Sequence, residues 1–157
     1  MESKLQKTIL IIETHQALQM LYEAELQEAG FNTLLASNTA EAQQLLARSS
    51  VDLLMSDMPE RQATSMSKLT LLAKAHNLPL LINTSYPLSM IDRSVITEAV
   101  YLQEKSSDMD KLKNKIIALL GNVQRASPSL HENRGQQAEA GKFDGHIKNN
   151  QQTFFSL

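Results

Sequence analysis

The side chains with which this sequence could do chemistry each follow a run of apolar residues. They are, in chain order, Glu13 after "TILII" (8–12), Asp57 after "DLLMS" (52–56), Thr84 after "PLLIN" (79–83) and Lys105 after "VYLQE" (100–104). A carboxylate can attack an electrophile or bind a cation, and a lysine beside it can neutralise developing charge. Asp57 could equally be a plain turn residue after a strand. Chemistry therefore depends on whether the fold brings these four side chains together.

Short apolar runs alternate with amphipathic stretches along the first 121 residues. The predicted strands cover 8–12, 31–37, 51–56, 78–84 and 99–103, and the predicted helices cover 16–30, 40–49, 67–77, 88–98 and 108–121. Asn38 or Thr39 can cap the second helix and Asp108 the last, while Gly30 and Gly121 stand where helices commonly end. This alternation predicts an α/β fold, a doubly wound parallel sheet of five strands with helices on both faces. Ligands of such sheets bind beyond the carboxyl ends of the strands, where Glu13, Asp57, Thr84 and Ser85 are expected.

Composition excludes several classes of function. The 157 residues fit one ordinary domain, and 15 basic against 17 acidic side chains give a net charge of −2. Because the charge is nearly balanced, we expect this chain to bind neither nucleic acid nor an anionic membrane. The absence of cysteine excludes disulfides, thiolate metal sites and cysteine nucleophiles. The first apolar run is too short for a signal peptide and no run could span a bilayer, so we expect a cytoplasmic protein.

The stretch 123–157 differs in character from the rest of the chain. It is polar, contains three of the five glycines and lacks apolar periodicity, which predicts a disordered tail after a domain of residues 1–122. Its last residues, "TFFSL" (153–157), are either an incidental apolar end or a short docking peptide for a partner's groove. No DNA-binding helix-turn-helix pattern follows the last predicted helix, so we expect this chain to act through protein contacts.

The region from about residue 7 to residue 121 resembles the receiver domain of two-component response regulators, on the order and spacing of the four residues above. The resemblance implies a flavodoxin-like (βα)5 fold with strand order 2-1-3-4-5. It implies that Asp57 is the phosphoacceptor and takes a phosphoryl group from a histidine kinase or phosphotransfer protein. Lys105 would pair with that carboxylate, and Glu13 with Asp57 would bind Mg²⁺. Thr84 would offer its hydroxyl to the phosphate, a role in which Ser85 could substitute for it. Such a domain signals to a downstream protein partner and is not an enzyme.

The sequence departs from the family pattern at the site itself. Thr14 stands where receivers carry a second acid, the usual direct metal ligand, so we expect Mg²⁺ binding to be weak or absent. Met58 and Pro59 follow Asp57 directly, whereas the family has two residues in between. Ser106 follows Lys105 in place of the family's proline. The departures all fall around the predicted reaction site, and the pattern of strands and helices is intact.

Three functions are compatible with these observations. The first is a stand-alone receiver in a phosphorelay, phosphorylated at Asp57. The second is a degenerate pseudo-receiver that acts as a phosphorylation-independent protein–protein interaction module. The third is a flavodoxin-like domain that binds a nucleotide or flavin, but this needs a glycine-rich turn after the first strand, and "IIETHQAL" (11–18) has none. We favour the first function.

Overall fold

Five parallel strands form one sheet in the computed structural model of this chain, which describes residues 6–57 and 63–123. The strands are β1 (Thr8–Ile12), β2 (Asn32–Ala36), β3 (Leu53–Ser56), β4 (Leu80–Thr84) and β5 (Val100–Glu104). Their order across the sheet is β2-β1-β3-β4-β5, and all neighbouring strands run parallel. The predicted doubly wound fold and the strand order 2-1-3-4-5 are both confirmed.

Four α-helices cover the two faces of the sheet. They are α1 (Gln16–Glu28), α2 (Thr39–Leu46), α3 (Ala63–Ala75) and α4 (Met109–Val123). Side chains along a strand point alternately to the two faces. Leu10 and Ile12 therefore pack in the layer with α2 and α3, while Ile9 and Ile11 pack with α1 and α4. This cover on both faces explains why β3 and β4 are buried along their whole length.

Local signals fix where the helices begin and end. The Asn38 side-chain oxygen accepts the backbone N–H of Glu41 at 2.9 Å, and Asp108 accepts that of Asp110 at 3.1 Å. Both predicted helix caps are thereby confirmed. Gly30 lies just past α1 with a φ of +89°, in the left-handed region that favours glycine, as predicted for the end of that helix.

Two predicted helix features are wrong. The predicted helix 88–98 is replaced by two short 3-10 turns, which are Leu88–Met90 and Arg93–Val95. The Asp92 carboxylate accepts the backbone N–H of Ser94 at 2.9 Å, a local turn that competes with the helix, and the β-branched residues of this stretch disfavour a helix further. Gly121 lies inside α4 and does not end it. A glycine inside a helix costs only about 1 kcal/mol, and the buried leucines just before it offset that cost.

Several predictions concern residues outside the part that the structure describes. They are the shortened loop 58–62, the tail 124–157 and the "TFFSL" stretch within it. The domain boundary after residue 122 stays a prediction as well. In the described part of the chain, no helix is long and apolar enough to cross a membrane.

Candidate functional site

The four predicted side chains belong to residues at one edge of the sheet, at the carboxyl ends of its strands. Glu13 and Asp57 follow β1 and β3, which are neighbours in the sheet. Thr84 is the last residue of β4, and Lys105 comes directly after β5. The backbone N–H of Lys105 donates to the Thr84 carbonyl at 2.6 Å, which extends the pairing of β4 and β5 by one bond. The topology therefore places all four residues on the edge where such sheets hold their ligands.

Lys105 joins the two acids of the site. Its Nζ lies 2.7 Å from Asp57 Oδ2 and 3.6 Å from Glu13 Oε2. The Lys105 side chain is 19% exposed, that of Asp57 34% and that of Glu13 only 3%. The cation is therefore largely withdrawn from water between two carboxylates, one of which is buried. Its charge compensates a pair of acids that would otherwise repel each other.

The surroundings of Lys105 stabilise its charged form. Burial by itself lowers the pKa of Lys105, but the hydrogen bond to Asp57 and the electrostatic effects of Tyr22, Asp57 and Glu13 together outweigh it. The net result is a pKa above the ordinary value for lysine. Lys105 therefore stays protonated at neutral pH and can neutralise negative charge at this edge of the sheet.

The Glu13 carboxylate is buried with only one of its oxygens hydrogen-bonded. Its Oε1 accepts the backbone N–H of His15 at 3.0 Å, and the His15 ring nitrogen Nδ1 lies 3.7 Å from the same oxygen. Its Oε2 is buried and has no hydrogen-bond partner among residues 6–57 and 63–123. A buried carboxylate oxygen that lacks a donor is costly unless a cation compensates it. Lys105, at 3.6 Å, supplies that compensation.

The donor set fits a weakly held magnesium ion. Mg²⁺ in proteins is commonly held by one or two carboxylates and several waters, and the Oε2 of Glu13 with the carboxylate of Asp57 provides two acids. Thr14 adds a neutral hydroxyl, which lies 3.2 Å from the Nδ1 of His15. Across residues 6–57 and 63–123, no group of three His, Asp or Glu side chains is arranged to hold a metal ion. The expectation of weak or absent Mg²⁺ binding stays a prediction.

Thr84 is placed differently from what the resemblance implies. Its side chain is fully buried, and its hydroxyl oxygen accepts the backbone N–H of Tyr86 at 3.0 Å. The cavity beside Asp57 is lined by the next residue, Ser85, and not by Thr84. Of these two neighbouring residues, Ser85 is therefore the one that lines the candidate cavity.

A cavity of about 580 Å³ opens at this edge of the sheet. Its walls carry the charged cluster of Glu13, Asp57 and Lys105, together with Thr14 and Ser85, and it extends to the residues that begin α2. Sites for small ligands commonly have volumes in this range. A second groove of about 530 Å³ lies by the C-terminal end of α3 and contains none of the predicted site residues. The first cavity is therefore the candidate site.

Sequence reasoning missed two polar residues that lie behind the charged cluster. Tyr22 projects from α1 and Asn83 from β4, both are buried, and the Asn83 amide donates to the Tyr22 hydroxyl oxygen at 3.1 Å. The available signal was Asn83, a polar residue inside the otherwise apolar run "LPLLINT" (78–84).

Comparison with known proteins identifies the fold through structure and not through sequence. No family model matches the chain, and no curated protein matches it in sequence. A response regulator from Thermotoga maritima has a TM-score of 0.63 and 20% identity, over 74% of this chain and 99% of its own. The fold is that of a response-regulator receiver domain. At this identity the likeness concerns the fold alone.

Further solved receiver domains agree with this identification. The signal receiver domain of an HD-domain protein from Pseudomonas fluorescens Pf-5 has a TM-score of 0.66 and 20% identity, over 76% of this chain and 98% of its own. The response regulator TrrA of Thermotoga maritima, solved in complex with Mg²⁺ and BeF, has a TM-score of 0.61 and 23% identity, over 73% and 99%. The receiver fold thus accounts for about three quarters of the chain.

Proposed function

We propose that this chain is a divergent receiver that accepts a phosphoryl group on Asp57 from a phosphohistidine of a kinase or phosphotransfer protein. The observation that carries the proposal is the ion pair of Lys105 with Asp57 at 2.7 Å, at the carboxyl edge of a receiver fold. A reactive carboxylate needs a neighbouring cation to offset the negative charge that a phosphoryl group brings. The signal would pass through protein contacts in the cytoplasm.

The proposed reaction is a displacement at phosphorus. A carboxylate oxygen of Asp57 attacks the phosphoryl group, a new O–P bond forms, and the N–P bond of the phosphohistidine breaks. The electron pair of the broken bond stays on the imidazole nitrogen, and the product on Asp57 is an acyl phosphate. Lys105 already contacts the Asp57 carboxylate, so it can transfer its ion pair from that carboxylate to an oxygen of the new phosphoryl group. The Ser85 hydroxyl lines the same cavity and can donate a hydrogen bond to that group.

Mg²⁺, when bound, would neutralise charge on the phosphoryl oxygens, and Glu13 with Asp57 would hold it. The complex of TrrA with Mg²⁺ and BeF supports this role for the family's fold. In this chain the Oε2 of Glu13, which is buried and without a hydrogen-bond partner, is the oxygen best suited to the ion. The neutral Thr14 leaves such a site with one acid fewer, so the ion would be held weakly.

A second function, the phosphorylation-independent interaction module, is favoured by one specific observation. The Thr84 hydroxyl, which the family would offer to the phosphate, is buried and bonded to the backbone of Tyr86. In such a module the ion pair of Asp57 and Lys105 would only stabilise the fold. Partners would then bind whatever the state of Asp57.

Treatment with acetyl phosphate or beryllofluoride separates the two functions. The full chain is incubated with and without Mg²⁺, acetyl-phosphate adducts are detected by intact mass, and beryllofluoride binding is detected by backbone amide NMR shifts. For a receiver we expect a Mg²⁺-dependent adduct of one phosphoryl group that is lost in Asp57→Asn. A matched control is Asp52→Asn, because Asp52 lies at the opposite end of β3 in an ion pair with Lys7.

The outcomes separate clearly. An adduct that persists in Asp57→Asn would show that another residue is modified, and the assignment of the phosphoacceptor would be wrong. No adduct and no NMR shifts at millimolar Mg²⁺ would refute the receiver function and leave the interaction module.

A further inference from the structure

Two polar side chains are buried together behind the charged cluster. Tyr22 on α1 and Asn83 on β4 are each 5% exposed, and the Asn83 amide donates to the Tyr22 hydroxyl oxygen at 3.1 Å. The layer in which Tyr22 packs is apolar and includes Leu26 and Met55. If this hydrogen bond were broken, each of the two buried polar groups would lose the other as its hydrogen-bond partner. The bond therefore fixes the orientation of both side chains.

Tyr22 borders a small void next to the candidate site. It shares this void with Glu13, Asp57 and Asn83, and the void has no room for a water molecule. Burial is the main cause that raises the pKa of Tyr22. Lys105 lowers this pKa, and the two carboxylates raise it. The hydroxyl keeps its proton and lies within the electrostatic reach of the whole charged cluster.

Asn83 also borders the start of the last helix. A second small void is lined by Asn83 together with Ser106, Asp108 and Met109, and Met109 is the first residue of α4. Asn83 therefore stands between the charged cluster on one side and the beginning of α4 on the other. Its side-chain amide is held by the Tyr22 hydroxyl.

We infer that Tyr22 is a positioning residue for Asn83, and that this pair transmits a change of charge at Asp57 to the start of α4. When the charge on Asp57 changes, Lys105 loses or shifts its ion pair, and the electric field at the Tyr22 hydroxyl changes with it. Water has no room in the void to screen that field, so the interaction is strong. The Asn83 amide donates to the oxygen of the Tyr22 hydroxyl and leaves the hydrogen of that hydroxyl able to reorient. When this hydrogen reorients, the Asn83 amide moves with it. The inference rests on the proposed function only in taking Asp57 as the residue whose charge changes.

The test does not require phosphorylation, because a substitution can change the charge at Asp57. In the full chain, NMR signals of the Asn83 side-chain amide and of the backbone amides of 106–112 are compared before and after Asp57→Asn. We expect these signals to shift, and we expect the same substitution to shift them less than half as far in a Tyr22→Phe background. Tyr22→Phe keeps the buried ring and removes only the hydroxyl. Tyr101→Phe is the matched control, because Tyr101 lines the groove away from the site, and it leaves the shifts unchanged.

Shifts of equal size with and without the Tyr22 hydroxyl would overturn the inference. A second background, Asn83→Val, places a residue suited to a buried strand at the other end of the hydrogen bond. In this background, Asp57→Asn is also expected to shift the amide signals of 106–112 by less than half of the shift seen when Tyr22 and Asn83 are both present. Shifts of full size would overturn the inference independently. A chain that takes no phosphoryl group yet shows shifts dependent on Tyr22 would refute the proposed function and leave the pairing of Tyr22 and Asn83 intact.

Discussion

The charge balance of the site depends on one residue, Lys105. It lies between a half-exposed carboxylate, Asp57, and a buried one, Glu13. Removing one partner from a buried ionic cluster lowers the free energy of unfolding by more than the complete cluster contributes to it, because the remaining charge is left uncompensated. Glu13 is the acid that would be left so, because its Oε2 has no hydrogen-bond donor.

Lys105→Met is expected to lower the free energy of unfolding by roughly 1–3 kcal/mol at neutral pH, less than for a fully buried pair because Asp57 reaches solvent. Urea unfolding followed by circular dichroism measures this difference. The matched control is Lys68→Met, on the exposed surface of α3, which we expect to leave stability nearly unchanged. An equal effect of both substitutions would show that the ion pairs of Lys105 do not stabilise the fold.

The contribution of Lys105 to stability should also depend on pH. The pKa of Lys105 is raised in the folded chain, so its stabilising effect is complete below the ordinary lysine pKa of about 10.4 and is lost as the pH rises through the folded value. The difference in unfolding free energy between the wild type and Lys105→Met should therefore stay constant from about pH 8 to pH 10 and shrink above. Urea titrations across this range measure it. A difference that already shrinks below pH 10 would contradict the raised pKa.

Thr14 is the residue that we expect to limit metal binding. Thr14→Asp restores a second acid beside Glu13 and should tighten Mg²⁺ by roughly tenfold or more, measured by isothermal titration calorimetry. Thr14→Asn matches the aspartate in shape but not in charge and should produce no such gain. If Thr14→Asp also fails to tighten Mg²⁺, the short loop after Asp57, and not Thr14, limits the site.

At the scale of the elements, the start of α2 is held by a pair of short-range hydrogen bonds. Asn38 accepts the backbone N–H of Glu41, and the Glu41 carboxylate accepts the backbone N–H of Ser37 at 2.7 Å. The Glu41 N–H would otherwise lie unpaired in the first turn of a helix of only eight residues. Ser37 and Asn38 also line the candidate cavity, so the cap positions one of its walls.

Asn38→Ala is therefore expected to lower the free energy of unfolding by about 1 kcal/mol. Gln43→Ala in the exposed middle of the same helix is the control, and it should be neutral or slightly stabilising, because alanine favours a helix. Chemical denaturation of the two variants compares them directly. If Asn38→Ala lowers the free energy of unfolding no more than Gln43→Ala does, the packing of α2 on the sheet, and not its cap, determines where the helix begins.

The stretch between β4 and β5 is the element in which this chain differs most from the prediction. Two 3-10 turns replace the expected helix, so the surface there is formed by turns, β5 and α4. Met90 is 75% exposed on the first of these turns. The surface between β4 and β5 therefore differs in shape from the one that the predicted helix would give.

At the scale of the whole molecule, the two apolar layers on either side of the sheet account for the fold without the tail. The layers join strand residues such as Leu10 and Ile11 to all four helices, and among the described residues the buried members of both layers lie between residues 9 and 120. The segment 124–157 lies outside the described residues, and its polar composition predicts disorder.

Deleting 126–157 should accordingly shift the thermal unfolding midpoint by no more than about 2 °C, because the polar composition of this segment predicts disorder. Differential scanning calorimetry of the full and shortened chains gives the comparison. A matched deletion of 153–157 alone tests the "TFFSL" stretch. A loss of stability that the short deletion reproduces would show that these five residues dock on the domain.

The sequence by itself determined the α/β fold, the two helix caps and the edge on which the site lies. Alternating strands and helices permit few arrangements, because parallel strands need crossover connections and each apolar face must be covered. Caps depend on residues only two or three positions apart, so they too can be recognised from the sequence. The quartet of Glu13, Asp57, Thr84 and Lys105 followed from the same strand ends.

Only the tertiary structure decided which of these groups touch one another and which face the cavity. The burial of Glu13, the second contact of Lys105 and the exchange of Thr84 for Ser85 depend on side-chain directions at the ends of different strands. The bond between Tyr22 and Asn83 joins residues 61 positions apart. No local pattern encodes such a contact, because it forms only when α1 packs across the sheet onto β4. The failed helix at 88–98 has the opposite cause, since there a local turn at Asp92 prevailed over a weak helical pattern.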